Sequence, residues 1–162
     1  MIEPLPSSMS EEILAFTTEY LDECAHLAVE VFNAEPGNQH WTRETARIRL
    51  LEMLNTPGFV GFIWRTQEML GFVVGNCEQR EDTLRFELKT ICVRSDRQSQ
   101  GIGTKLLHQL MNTLATMNVT SIYLLAAKDG QAEAFYKNNG FQRSPRTSVM
   151  SHQLISPAVN HS

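Results

Sequence analysis

A chain of 162 residues, 42% hydrophobic and 20% charged, is sized for one core and too apolar to stay disordered, so a single domain over 1–162 is expected. Fourteen basic against 18 acidic side chains give a net charge of −4, which argues against nucleic acid or an anionic membrane as partner and weakly for cationic ones. No apolar run reaches membrane-spanning length, no basic and apolar leader opens the chain, and the scattered Cys24, Cys77 and Cys92 form neither a disulfide framework nor a metal motif, so a reducing, cytoplasmic setting and no metal are expected.

Residues 1–8 and 156–162 are polar, Pro-bearing tails and are expected to fray. A first strand is predicted near Ile13–Thr17. A helix follows over Leu21–Phe32, with Leu21, Ala25, Ala28, Val29 and Phe32 on one face. Residues 33–40 are a loop by composition. Thr42 caps a second helix, although Thr42-x-x-Thr45 supplies only half of a capping box; Ile48, Leu51 and Leu54 mark its period, and Thr56-Pro57-Gly58 stops it.

Three strand-like runs come next. Phe59–Arg65 and Met69–Cys77 flank a short turn and read as an antiparallel hairpin, and Leu84–Val93 is the third. From Ile102 the apolar period becomes helical, through Leu106, Leu110 and Leu114. Ser121–Ala127 reads as a buried strand. Gln131–Asn138 is a short helix ended by Gly140, and Phe141 with Thr147–Ile155 supplies a last strand or hairpin. The order is mixed α/β: helices, an antiparallel meander, then strand–helix–strand–helix–strand.

The strongest chemical signal lies where a strand ends at Val93 and two glycines, Gly101 and Gly103, open a long helix. A helix start exposes N–H groups without intrahelical partners, the macrodipole adds positive potential, and glycine lets a bulky anion approach the backbone. Together they suit a phosphate; a glycine turn that merely starts a helix is the plain alternative. A dinucleotide fingerprint fails at Leu106, where a third glycine belongs, and a P-loop fails because one residue, not four, separates the glycines.

Gln98-x-x-Gly101-x-Gly103 resembles the acetyl-CoA loop of the GNAT superfamily of N-acetyltransferases. Downstream, Ala134-Phe135-Tyr136-Lys137-Asn138-Asn139-Gly140-Phe141 resembles a second block of that family. The resemblance covers about residues 59–155. It implies a mixed, mostly antiparallel central sheet flanked by helices and splayed between the strands near 84–93 and 121–127. Acetyl-CoA would be the co-substrate, its pyrophosphate on Gln98, Ser99, Gln100, Gly101, Ile102, Gly103 and Thr104. Its pantetheine arm would run beside Ile91, Cys92 and Val93. An amine would attack the thioester directly, with no acyl-enzyme, so Cys92 is read as a buried thiol beside the cofactor rather than a nucleophile.

The same resemblance gives Tyr136 a role in protonating the departing thiolate; on its own it would read as core beside Phe135. The strand Phe86–Val93 is similar to that of some aminoglycoside 6′-N-acetyltransferases, so Glu87 is a candidate to bind the cationic amine or relay its proton; a solvated strand carboxylate is the alternative. Thr90 stands where many relatives carry an acid. Glu35, His40 and Trp41 border the expected acceptor site, with Trp41 read mainly as an anchor for its loop. The acceptor is a small polyamine or aminoglycoside, or a protein amine. A homodimer is a further expectation, and a non-catalytic CoA-binding regulatory module is the rival reading.

Overall fold

The computed structural model describes residues 11–155, so the expected frayed tails lie outside the described residues. The chain divides between Leu125 and Ala126 into two compact units.

Alternating apolar positions draw the first unit into a sheet. β1 (Glu12–Ala15), β2 (Phe59–Arg65), β3 (Met69–Gln79), β4 (Leu84–Val93) and β5 (Val119–Tyr123) lie side by side in chain order. The first three pairings are antiparallel, and β4 with β5 is parallel. A parallel pair needs a crossover, and α3 (Ile102–Thr116) supplies it. The helices α1 (Leu21–Asn33) and α2 (Arg43–Leu54) join β1 to β2.

Two apolar layers hold this unit. On one face Leu21, Cys24, Ala28, Leu50 and Met53 of α1 and α2 pack with Ile63, Phe72, Val74 and Cys92 of the sheet. On the other, α3 buries Leu106, Leu107, Leu110 and Leu114. Gly71 makes room there: a Cβ at this position would lie 3.2 Å from Leu106 Cδ1.

Several expectations change in detail. The Thr42 motif is a complete capping box: Thr42 Oγ1 accepts from the Thr45 amide and Thr45 Oγ1 accepts from the Thr42 amide, both at 3.0 Å. A threonine at the third helical position thus replaces the usual Glu or Gln. The strand expected over Ser121–Ala127 is instead Val119–Tyr123, half exposed on the edge of the described sheet. Only residues opposite Leu84–Glu87 find ladder partners, so the apolar run beyond Tyr123 does not extend it.

The second unit contains α4 (Gln131–Asn138), closed by Gly140 at φ 92°. The Tyr136 ring packs edge-on between Phe135 at 5.2 Å and Phe141 at 5.3 Å. Arg143 ties the unit together, donating to Glu133 at 2.7 Å and to Asp129 at 3.1 Å. The strand or hairpin expected from Phe141 and Thr147–Ile155 is not formed. Its apolar residues Val149, Met150, Leu154 and Ile155 come in adjacent pairs, not on alternate positions, so no one face can be buried; all four are exposed.

Candidate active site

The site is built along β4. Its ladder with β5 runs from Leu84↔Val119 to Glu87↔Tyr123 and stops, although β4 continues to Val93. Glu87 therefore stands where the two strands part. From there to Val93 is about 20 Å of strand with an open edge. The polarity of that edge follows from the ladder on the other side. The Arg94 amide donates to Leu70 O at 2.8 Å, so Arg94 and, by alternation, Cys92 turn their backbone groups toward β3. Ile91 and Val93 turn theirs toward the open edge. The Cys92 thiol lies in the α1-side core, 1% exposed, and burial pushes its pKa up. Of the three residues expected there, the edge presents Ile91 and Val93 main-chain groups, not those of Cys92.

Past Val93 the chain makes a 3₁₀ turn, Ser95–Arg97, and then the polar loop. Gln98 Nε2 donates to Val93 O at 3.1 Å, folding the loop back on the strand end. Ser99 at φ 67° and Gly101 at φ 81° both adopt left-handed backbone. Gly101 is the N-cap of α3, and no side chain caps that helix. Among the described residues nothing accepts from the amides of Ile102, Gly103 and Thr104; the first bond, Lys105 N–H to Gly101 O, comes a residue later. A Cβ on Gly101 would meet nothing within 4 Å. Unpaired donors beside open space at a helix start suit a phosphate.

Glu87 projects on the α1–α2 face of the sheet. Its ladder partner is Asn76, whose Nδ2 donates to Met53 O and Thr56 O, both at 3.3 Å, at the C-terminal end of α2. Lys89 Nζ lies 2.7 Å from Glu87 Oε1. Lys89 is also a bulge: Val74 faces Thr90 and Gly75 faces Leu88, leaving Lys89 without a partner. Glycine is required opposite the bulge, because a Cβ on Gly75 would run into the Glu87 carbonyl oxygen and lie 2.5 Å from the Phe86 ring. Next to Glu87, Tyr123 donates to Glu78 Oε2 at 2.9 Å, and Arg85 stacks 4.0 Å over the Tyr123 ring. Burial first, then the Glu78 hydrogen bond and the Glu87 charge, push the Tyr123 hydroxyl up to about 12.

A depression of about 280 Å³ opens on this face, lined by Arg49, Met53, Asn76, Glu78, Glu87 and Lys89 among others. Arg49, Asn76, Glu78 and Lys89 were not singled out by the sequence. Only the Glu87/Lys89 spacing, two residues apart on a strand, was a readable signal. The Asn33 side chain holds the loop at Trp41: its Nδ2 donates to Trp41 O at 2.8 Å and its Oδ1 accepts from the Trp41 amide at 2.9 Å, while the Trp41 ring, expected to be a buried anchor, is only partly buried against the core. Tyr136 belongs to the second unit, where its hydroxyl makes no hydrogen bond with a described residue and burial pushes it up to about 12. Among the described residues no group of three or more His, Cys, Asp or Glu is placed to hold a metal, and no helix is long and apolar enough to cross a membrane.

Comparison with known proteins adds an independent line. Residues 58–143 match the family model described as the acetyltransferase (GNAT) domain. No curated protein sequence matches the chain. Solved structures share its fold at low identity. Aminoglycoside N-acetyltransferase AAC(6')-Iy in complex with CoA is 12% identical at TM-score 0.72, over 94% of this chain and 99% of that one. An aminoglycoside acetyltransferase from an uncultured soil metagenomic sample, solved with sisomicin, is 17% identical at TM-score 0.69, over 90% and 97%. A transcriptional regulator from Bacillus halodurans C-125 is 17% identical at TM-score 0.71, over 88% and 100%.

Proposed function

We propose, from the premise that this chain belongs to the GNAT acetyltransferase family and is an acyltransferase, that it moves the acetyl group of acetyl-CoA to a small primary amine. We take residues 1–162 as one acetyltransferase domain acting in the cytoplasm. The observation that carries the reading is the continuity of β4: parted from β5 at Glu87, open-edged at Ile91 and Val93, and ending at the uncapped α3 start.

The residues fit the co-substrate at each point. The amides of Ile102, Gly103 and Thr104, with the loop Gln98–Gly101, receive the pyrophosphate. The Ile91 main chain and the Val93 amide offer hydrogen bonds to an extended amide-bearing arm, the Val93 carbonyl already accepting from Gln98. That alignment leaves the thioester near the parting point, beside Glu87. There the amine nitrogen bonds to the acetyl carbon and the carbon–sulfur bond breaks. The amine gives up a proton and the leaving sulfur gains one.

A free alkylamine is mostly protonated near neutral pH, so the site must attract a cation and then take a proton from it. Glu87 serves the first by charge and the second through a water. The resemblance makes Tyr136 the candidate to give that proton to the sulfur.

The test is release of free thiol from acetyl-CoA over a panel of amines, with the acetylated product identified by mass. Glu87→Gln keeps shape and deletes charge. Its kcat/KM should fall roughly 5- to 150-fold, the worth of about 1–3 kcal/mol. A raised KM alone assigns Glu87 to binding, and a lowered kcat assigns it to proton transfer. Tight acetyl-CoA binding with no thiol release from any amine would favour the non-catalytic CoA-binding module.

A further inference from the structure

We infer that the acceptor is a zwitterion: a small primary amine that also carries a carboxylate, held by Glu87 at its ammonium and by Arg49 and Lys89 at its carboxylate. This rests on the acetyl-transfer reading and names the acceptor class. The carboxylates lining the depression are already matched. Glu87 is paired with Lys89 at 2.7 Å. Glu78 is paired with Arg85 at 3.3 Å and accepts from the Tyr123 hydroxyl at 2.9 Å. The lining also holds Arg49, whose closest acidic neighbour is Glu52, 3.6 Å away on its own helix. The depression itself thus carries two acids, Glu78 and Glu87, and two bases, Arg49 and Lys89, each already paired.

Consider what each kind of amine does on entering. A diamine or aminoglycoside brings two or more ammonium groups to a wall whose two carboxylates, Glu87 and Glu78, each already hold a basic side chain. It must displace Lys89 from Glu87 and leave that ammonium, Arg49 and its own second cation together. An amine with a carboxylate divides the Lys89–Glu87 pair without such a surplus. Its ammonium takes Glu87, and its carboxylate takes the released Lys89 and the guanidinium of Arg49, which offers a bidentate fork. Every charge ends paired. Lys89 is suited to the exchange, since the bulge frees it from a ladder partner and its side chain is 28% exposed. Glu78, the other acid of the lining, is held by Arg85 and by the Tyr123 hydroxyl, so a second cation would have to break that pairing as well.

The test is a matched set of equal chain length: an ω-amino acid, its carboxamide and the corresponding diamine, with an α-amino acid and its amide alongside. Initial rates of acetyl transfer from acetyl-CoA are read for each. The carboxylate-bearing amine should exceed its amide and the diamine in kcat/KM by roughly 10- to 100-fold, the range of one charged hydrogen-bonded contact. Arg49→Gln should abolish that preference through KM, with kcat little changed, and Arg49→Lys should restore part of it. Arg49 is half exposed, so both variants should fold. An amide or diamine used as well as the amino acid, no turnover of any member, or a preference untouched in Arg49→Gln would each overturn the inference. Calorimetry with acetyl-CoA separates the two levels. Undiminished binding alongside such a result removes only the acceptor assignment, whereas loss of binding in the unaltered protein removes the transfer reading as well.

Discussion

Gly101→Ala tests the phosphate cradle, and two separate magnitudes can be worked for it. The first is the cost to the fold. Gly101 sits at φ 81°, where an L side chain costs about 1–2 kcal/mol. Its Cβ would meet nothing within 4 Å, so no packing term is added. For a chain of this size the melting temperature should fall by roughly 2–8 °C. The second is the cost to binding. The same open space is where an anion must lie to reach the amides of Ile102, Gly103 and Thr104. Pushing it away forfeits one or two charge-assisted hydrogen bonds, about 2–4 kcal/mol, or roughly 30- to 1000-fold in Kd. Gly101→Trp fills more of that space and should sit at the upper end. Calorimetry with acetyl-CoA and a thermal melt read the two effects independently. Gly75→Ala is the contrast: its Cβ collides with backbone and the Phe86 ring, so it should fail in folding. A folded Gly101→Trp that binds acetyl-CoA as tightly as the unaltered protein would refute the placement of the pyrophosphate at the start of α3.

Tyr136→Phe should lower kcat by about 100-fold and leave acetyl-CoA affinity nearly unchanged; an equal kcat, with chemistry limiting, would return the ring to a packing role. Tyr123 and Tyr136 are both held at about 12 when folded, against 10.0 for a free phenol. The unfolded chain therefore loses these protons first, and stability should fall as pH rises above 10 and through about 12. A pH series of melts on the Tyr123→Phe and Tyr136→Phe proteins should show a shallower decline for each. The Arg143 hydrogen bond, then the Asp129 amide, lower Glu133 to about 2. That contribution is present above the usual carboxylate range and should be lost as pH falls from about 4 through 2. Arg143→Gln should return the Glu133 titration toward 4.5, as read by carboxyl NMR, and an unmoved titration would break the assignment.

Elements with a local signature were legible in the sequence. The period from Ile102 and the runs at Phe59, Met69 and Leu84 gave helix and strands close to their observed bounds, because each pattern is set within a few residues. The loop that opens α3 was readable for the same reason: Gln98, Gly101 and Gly103 lie within six residues of one another. What failed depended on partners elsewhere. The run through Ala127 looked like strand, yet the ladder ends at Tyr123 because β5 has only Leu84–Glu87 to pair with. Val149 and Met150 looked like strand material, but their adjacent spacing gives no face to bury. The reciprocal Thr42–Thr45 cap escaped notice because its template names Glu or Gln.

The charge pattern around Glu87 shows most clearly what one sequence withholds. Asn76 reaches Glu87 only through the β3–β4 register, and that register is fixed by a bulge at Lys89 opposite a glycine. Arg49 reaches the same depression because α2 is laid on the sheet by Leu50 and Met53. Read alone, Glu87 in a chain of net charge −4 argues for a polycationic acceptor. Placed beside Lys89 and across the depression from Arg49, the same carboxylate is one half of a balanced pair, and global charge ceases to predict what binds there. Local pairing outweighs the chain's net charge because charges separated by more than about 8–10 Å are screened at ordinary ionic strength. The 2.7 Å Lys89–Glu87 contact is far inside that distance, so a ligand entering there meets the pair before it meets the surplus.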